Sequence, residues 1–240
     1  MSKNNVADFY DGFVENQKKI GVNDRIYGLY KRLLKLGLKS NSNVLELGCG
    51  IGTNTFLISK KVSSGKIECV DISPESIKFL KEKLNRPNTS YVVHDIVNYS
   101  PTLENIDFIT LFDVIEHIPI ERHSELFENI SKIMTPKTKL VINIPNPSYI
   151  EYLAEHKPKL LQVIDQPVHL AGIIENISRC GLELKFFETY NLWTLDDYQF
   201  MVITKQKKYE EVRLENQLSF WNKFKAKLQR AWFKTVHHYS

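Results

Sequence analysis

The stretch Val44-Leu45-Glu46-Leu47-Gly48-Cys49-Gly50-Ile51-Gly52-Thr53 is a short apolar run that breaks into three glycines at alternate positions and then into helix-compatible residues. A strand that turns through glycine into a helix lets a ligand come close to the backbone, because glycine carries no Cβ. The spacing of the glycines narrows the ligand. A dinucleotide fingerprint needs Gly or Ala where this chain has Thr53, so the G-x-G-x-x-G pattern fails. A Walker loop fails too, since no Gly-Lys-Ser/Thr follows. The pattern that stands is E-x-G-x-G-x-G.

On either side of this turn, β-rich runs alternate with longer helical patterns, as in a parallel α/β sheet. Strands are predicted at Asn43–Leu47, Lys66–Asp71, Ser90–His94, Ile106–Phe112, Leu140–Ile144, Leu182–Tyr190 and Phe200–Thr204. Helices are predicted near 53–62, 74–86, 116–134 and 168–180. Ser73-Pro74 before Glu75 reads as an N-cap with a first-turn proline, and Gly181 as a C-terminal stop. The last two strands follow one another through a tight return at Asn191–Asp197, which implies antiparallel pairing at the end of the sheet. Upstream, residues 23–37 form an amphipathic helix with Asn23 or Asp24 as its cap. Residues 1–20 read as a looser helical lead-in, and Lys207–Val236 as a basic helix.

The ordered motifs resemble those of the class I S-adenosylmethionine (SAM)-dependent methyltransferases, over roughly residues 40–205. Their first motif is similar to Glu46-x-Gly48-x-Gly50-x-Gly52, with Cys49 inside it. Val70-Asp71-Ile72-Ser73 places an acid 19 residues past the last glycine, where a carboxylate can accept both ribose hydroxyls. Val93-His94-Asp95-Ile96 matches the acid and apolar neighbour that the family sets around adenine. Leu111-Phe112-Asp113-Val114-Ile115-Glu116-His117-Ile118 looks like the fourth-strand signature of the small-molecule branch, and Val141–Asn146 like the segment after strand five. The resemblance implies a Rossmann-like α/β fold: a seven-stranded, mostly parallel sheet with an antiparallel last strand and helices on both faces. It also implies SAM as cofactor, held by Glu46, Gly48, Cys49, Gly50, Gly52, Asp71, Ile72, Asp95, Ile96, Phe112 and Asp113. The reaction expected is methyl transfer to an oxygen, or with less support a nitrogen, of a small molecule or of a glycan or lipid-linked precursor. A SAM-binding regulator without turnover is the alternative from another class. An RNA methyltransferase is a further one, although the nearest match to its amine motif, Asn146-Pro147-Ser148-Tyr149, is displaced to after strand five.

A hydroxyl acceptor would call for a general base, for which His is the usual choice near neutral pH. His117 follows the strand-four carboxylates, and His169 in Pro167-Val168-His169-Leu170 resembles a histidine found after strand five in many small-molecule and sugar methyltransferases. Both are candidate bases; the bland reading is capping or a buried hydrogen bond. Asp113-x-x-Glu116-His117 also admits a divalent ion. Some quinone-biosynthesis and RNA-end methyltransferases look similar there but carry Glu where this chain has Asp113, and the string occurs in relatives without metal, so no metal is assigned. Pro145–Gln166 is longer than a plain strand-to-helix connection; Tyr149 and Tyr152 can line an acceptor pocket, with Phe9-Tyr10-Asp11 closing from the other side.

The chain has 240 residues, 42% of them hydrophobic, enough for a real core and no need of a disulfide scaffold. Its three cysteines, Cys49, Cys69 and Cys180, lack metal-type spacing and point to reduced thiols in a cytoplasm. No apolar run is long enough to span a bilayer, and the polar N-terminus lacks a signal-peptide core. The net charge of +4 conceals a partition. Residues 1–40 carry 8 basic and 4 acidic side chains, 41–204 carry 15 and 21, and 205–240 carry 9 and 3. The organisation expected is a helical lid over 1–40, a SAM-binding domain over 41–205 and a basic amphipathic helix over 206–240. In that last helix Leu214, Leu218, Trp221, Phe224, Leu228 and Trp232 form an apolar stripe. It can dock on the domain or a second copy, or lie peripherally on the inner face of an anionic membrane. The acidic middle argues against nucleic acid.

Overall fold

A computed structural model describes residues 17–162, 164–207 and 219–237. The chain divides into two compact units, 1–206 and 207–240. In the first, seven strands form one sheet in the order β3-β2-β1-β4-β5-β7-β6. They are β1 (Val44–Leu47), β2 (Ile67–Asp71), β3 (Thr89–Val93), β4 (Phe108–Phe112), β5 (Lys139–Pro145), β6 (Leu182–Tyr190) and β7 (Tyr198–Lys205). Strands β1 to β5 pair in parallel. Only β7 runs the other way, antiparallel to β5 on one side and β6 on the other. A sequence order that reverses direction at β1 opens a crevice beyond the carboxyl ends of β1 and β4, where ligands of such sheets bind.

Every residue of β1, β2 and β4 is buried, as expected of parallel strands covered on both faces. Their alternate side chains feed two cores. Val44, Ile67, Cys69, Phe108 and Val141 face one layer with Leu29, Leu33, Ile58, Ile77 and Leu80. Those helix residues come from α1 (Asp24–Lys35), α2 (Thr53–Lys61) and α3 (Pro74–Lys83). Leu45, Leu47, Ile109, Leu111 and Ile142 face the opposite layer with Leu126, Phe127, Ile130, Ile173 and Ile177. These belong to α4 (His123–Ile133) and α6 (Leu170–Arg179). Caps fix the helix starts: Asn23 accepts from the Ile26 N–H and Ser73 from the Ser76 N–H, both at 3.1 Å. Leu29, Leu33 and Leu38 bind residues 24–38 into the same core as β1.

Two elements differ from the sequence expectation. The helix expected from residue 116 starts at His123; Ile115–His117 and Ile120–Arg122 are single 3-10 turns. Pro119 stands between them, and proline both lacks an N–H and disfavours a helical residue before it. The long connection after β5 contains its own helix, α5 (Pro147–His156), capped by the Asn146 side chain with Pro147 in the first turn. In the second unit, α7 (Phe220–His237) is an 18-residue helix with no buried residue. The stripe residues Leu214 and Leu218 lie outside the described residues.

Candidate active site

A cavity of about 590 Å³ opens beyond the carboxyl ends of β1, β2 and β4. Its floor is the glycine turn. Gly48 and Cys49 donate their N–H groups to the Val70 carbonyl at 2.8 and 3.0 Å, which ties the turn to β2. Gly48 takes φ +76°, and a Cβ there would collide with the Val114 side chain. Gly50 takes φ +52°, and a Cβ on it would meet only the Gln17 side chain, at 3.6 Å. The first glycine is therefore required by packing, and the second presents bare backbone to the cavity. Gly52 starts α2 and packs against Leu80, away from the lining.

Asp71 closes the turn from the end of β2. Its Oδ2 accepts from the Gly50 N–H at 2.7 Å and its Oδ1 from the Ser73 N–H at 2.9 Å. A carboxylate oxygen can accept more than one hydrogen bond, which suits Asp71 to a ribose hydroxyl. Ile72, Ile96, Phe112 and Ile118 supply apolar walls. Glu46 lies at the base, 3% exposed, with its Oε2 accepting from Thr55 Oγ1 at 2.6 Å. Burial pushes its carboxyl up to about 7 against the pull of that hydrogen bond. Asp95 caps the turn Ile96–Asn98 through its Oδ1 and meets both Nη atoms of Arg122 at 3.1 Å through its Oδ2. It is a cap and a cavity wall at once.

Asp113 has φ +57°, in the left-handed region that few non-glycine residues adopt. The turn aims its Oδ2 at Arg25 Nη1, 2.8 Å away. Its Oδ1 accepts from Asn143 Nδ2 at 3.3 Å, and Asn143 in turn accepts from the Tyr190 hydroxyl at 2.7 Å. Arg25 Nη1 also donates to the Tyr198 hydroxyl at 3.1 Å. Burial opposes the charge on Arg25, but Asp113 and Tyr198 outweigh it and raise its pKa. Among the described residues, the buried Nε–H of Arg25 has no hydrogen-bond partner. The same holds for Asn54 Oδ1 and Gln162 Oε1, and all three residues line the cavity.

His117 also lines the cavity. Its Nδ1 is 3.0 Å from Asp165 Oδ1 and its Nε2 is 3.8 Å from Glu116 Oε1. Burial draws the imidazole pKa down, yet the two carboxylates more than reverse this and carry it to about 9. Burial in turn pushes the Glu116 carboxyl up to about 8, so His117 and Glu116 titrate as a linked pair. The structure does not bring His169 to the cavity. Its side chain is 59% exposed, pairs with Glu151 at 3.2 Å and precedes α6 without capping it. Tyr149 and Tyr152 line a second groove with Lys157 and Trp193, and Tyr152 stacks on His156. Tyr10 lies outside the described residues. Arg25, Arg122 and Gln162 are cavity residues that the sequence does not flag. Each is an ordinary polar position of a helix or loop, and the partners of Arg25 and Arg122, Asp113 and Asp95, are distant in the chain.

The donor set fits SAM. Gly50 offers backbone without a side chain, Asp71 and Asp95 offer acceptors beside apolar walls, and the Arg25 Nε–H offers a free donor suited to a carboxylate. Fold and site together are those of a class I SAM-dependent methyltransferase. A family model described as a methyltransferase domain matches residues 22–190, and the chain belongs to that family, which uses SAM.

The chain is similar to malonyl-[acyl-carrier protein] O-methyltransferase 1 from Ilyobacter polytropus, 35% identical over 96 residues, 40% of this chain and 33% of that one. It is similar to trans-aconitate 2-methyltransferase from Escherichia coli, 28% identical over 114 residues, 48% of this chain and 43% of that one. It therefore spans less than half the length of these curated relatives. The crystal structure of magnesium protoporphyrin IX methyltransferase from Synechocystis PCC 6803 with bound S-adenosylhomocysteine shares the fold. Its TM-score is 0.67 at 14% identity, over 85% of this chain and 99% of that one.

Proposed function

We propose that this protein transfers a methyl group from SAM to an oxygen of a small-molecule acceptor, and that the oxygen arrives as an anion. SAM supplies an electrophilic methyl on a sulfonium, and a carboxylate oxygen needs no base to attack it. The observation that carries the reading is the pairing of the cavity's own groups: Asp113 is committed to Arg25 at 2.8 Å, Asp95 to Arg122 at 3.1 Å, and His117 Nδ1 lies 3.0 Å from Asp165. A neutral alcohol would find the Asp113 and Asp95 carboxylates engaged by arginines, whereas an anionic oxygen needs no base. The names of two relatives agree with this chemistry, since malonyl and trans-aconitate groups are carboxylic acids.

In this reading Asp71, Gly50 and the Arg25 Nε–H hold the cofactor, and positioning supplies most of the rate. The groove of Tyr149, Tyr152 and Trp193 takes the remote part of the acceptor, whether small molecule, glycan or lipid-linked. Arg25, which lines the cavity, lies 5.8 Å from the centre of the Trp193 ring, so the two spaces meet at that contact.

The test is a methyl-labelled SAM assay on a panel of di- and tricarboxylic acids, with the product then treated with base. A methyl ester releases its label as volatile methanol; label that stays with the product in base overturns the carboxylate reading.

A further inference from the structure

Helix α7 combines a run of cations with exposed aromatic side chains. Its sequence, Phe220–His237, contains five cations (Lys223, Lys225, Lys227, Arg230 and Lys234) and no acid. Phe220 and Trp221 are each 74% exposed and Trp232 is 65% exposed; Phe224, Leu228 and Phe233 are exposed as well. At roughly 100° per residue, Phe220, Phe224, Leu228, Trp221, Trp232 and Val236 fall within an arc of about 160°. Arg230, Lys223, Lys234 and Lys227 crowd into an arc of about 60° along one border of it. Lys225 sits within the apolar arc near its other border, and Phe233 on the polar side.

We infer that α7 is an interfacial anchor that lies on an anionic lipid bilayer, with its aromatic arc in the acyl boundary and its lysines on the headgroups. Among the described residues no helix is long and apolar enough to cross a membrane, so the helix lies along the surface instead of spanning it. The composition separates this occupant from a second copy of the helix. A paired helix favours aliphatic side chains at its seam and opposite charges beside it. The α7 arc has only Leu228 and Val236 as large aliphatics, and two such helices would set cation against cation. Exposed Trp and Phe beside a run of lysines suit the membrane interface, where aromatic rings sit at headgroup level and lysine stems reach outward. Nucleic acid would engage the lysines but would leave the aromatic arc in water.

The inference does not depend on the acceptor. It is tested with the full-length protein and vesicles of phosphatidylcholine alone or with phosphatidylglycerol. The expected result is co-sedimentation with the phosphatidylglycerol vesicles at low salt, weakened at high salt, and no binding to phosphatidylcholine alone. Two of the three tryptophans lie in α7, so in a Trp193→Phe background a blue-shifted emission reports burial of this helix. The triple variant Lys223→Glu, Arg230→Glu, Lys234→Glu should bind at least about tenfold more weakly. Trp221→Ser with Trp232→Ser should lose binding while the melting of the domain is unchanged. The inference is overturned if the protein stays in the supernatant with phosphatidylglycerol at low salt, even where it dimerises or binds an RNA oligonucleotide. It is overturned equally if the charge-reversed variant sediments like the parent.

Discussion

Arg25 Nη1 and Asp113 Oδ2 meet at 2.8 Å, joining helix α1 to the turn that ends β4. Through Asn143 and Tyr198 the same pair reaches β5 and the start of β7. One ion pair thus ties the helix α1 wall of the cavity to its sheet wall.

Replacing Arg25 by Met should leave the largely buried Asp113 carboxylate, 16% exposed, without its cation. Complete burial would make this cost about 3–5 kcal/mol, and partial exposure lowers it to about 2 kcal/mol. Urea denaturation measures the loss. The double variant Arg25→Met, Asp113→Asn should recover most of it, because no unpaired charge remains. SAM affinity should fall in both, since both lack the Nε–H donor; a double variant that regains affinity refutes a cofactor contact by Arg25.

Asp71 and Gly50 make a second pair with a separable prediction. Gly50→Ala forces a positive φ on an L-residue and puts a methyl group toward the cavity, where it meets the Gln17 side chain only at ordinary contact distance, 3.6 Å. The expected strain is about 1 kcal/mol, so the variant folds while SAM binding weakens about tenfold or more. Gly48→Ala would collide with Val114 and should show its loss in stability first. Calorimetric titration with SAM beside a melting curve separates the two positions.

Much of this site was legible in the chain, and the reason is local. The glycine turn, Asp71, Asp95 and Phe112–Asp113 all end parallel strands, and each is marked by an apolar run next to a turn residue. What was not legible depends on contacts between distant segments. Arg25 resembles any other polar residue of an amphipathic helix until Asp113 and Tyr198 fold against it. His117 reads as a candidate base on its sequence neighbourhood, but its partner Asp165, brought in by the loop after α5, is 48 residues away and was not legible. His169 carries a suggestive local pattern, and its helix points it to solvent beside Glu151. The helix expected from residue 116 overlooked Pro119, whose restriction on its neighbours was visible in the sequence.

Three buried groups, Glu46, Glu116 and His117, predict a stability that falls as pH rises, Glu116 being raised from 4.5 to about 8 and linked to His117. Glu46 has its folded pKa raised from 4.5 to about 7, so the folded state binds the proton more tightly. Stability is lost as pH rises from 4.5 through 7, by about 3 kcal/mol in full. His117 is raised from 6.5 to about 9, so its contribution is complete below 6.5 and lost as pH rises through 9. Glu46→Gln should flatten the lower window and His117→Gln the upper one in denaturation series across pH. A variant that keeps the parent slope in its own window excludes that residue as the titrating group.

Asp197 is fully buried, and its carboxylate accepts from the backbone N–H groups of Leu192, Trp193 and Thr194 at 2.8, 2.9 and 3.2 Å. Three charge-assisted bonds from one side chain hold the β6–β7 turn in the shape that sets Trp193 against Tyr198, their ring centres 5.5 Å apart. Asn at this position keeps one acceptor oxygen and loses the charge, so the turn should loosen at a cost of about 2 kcal/mol. Arg25 lies near Trp193, but its bond to Asp113 does not pass through the turn. Asp197→Asn should therefore leave the SAM dissociation constant unchanged. If the groove holds the remote part of the acceptor, KM for the acceptor should rise several-fold with kcat nearly kept, because the lost contact binds ground state and transition state alike. Trp193→Ala should give the same split without the stability loss. Equal acceptor KM in both variants and the parent would confine the acceptor to the main cavity.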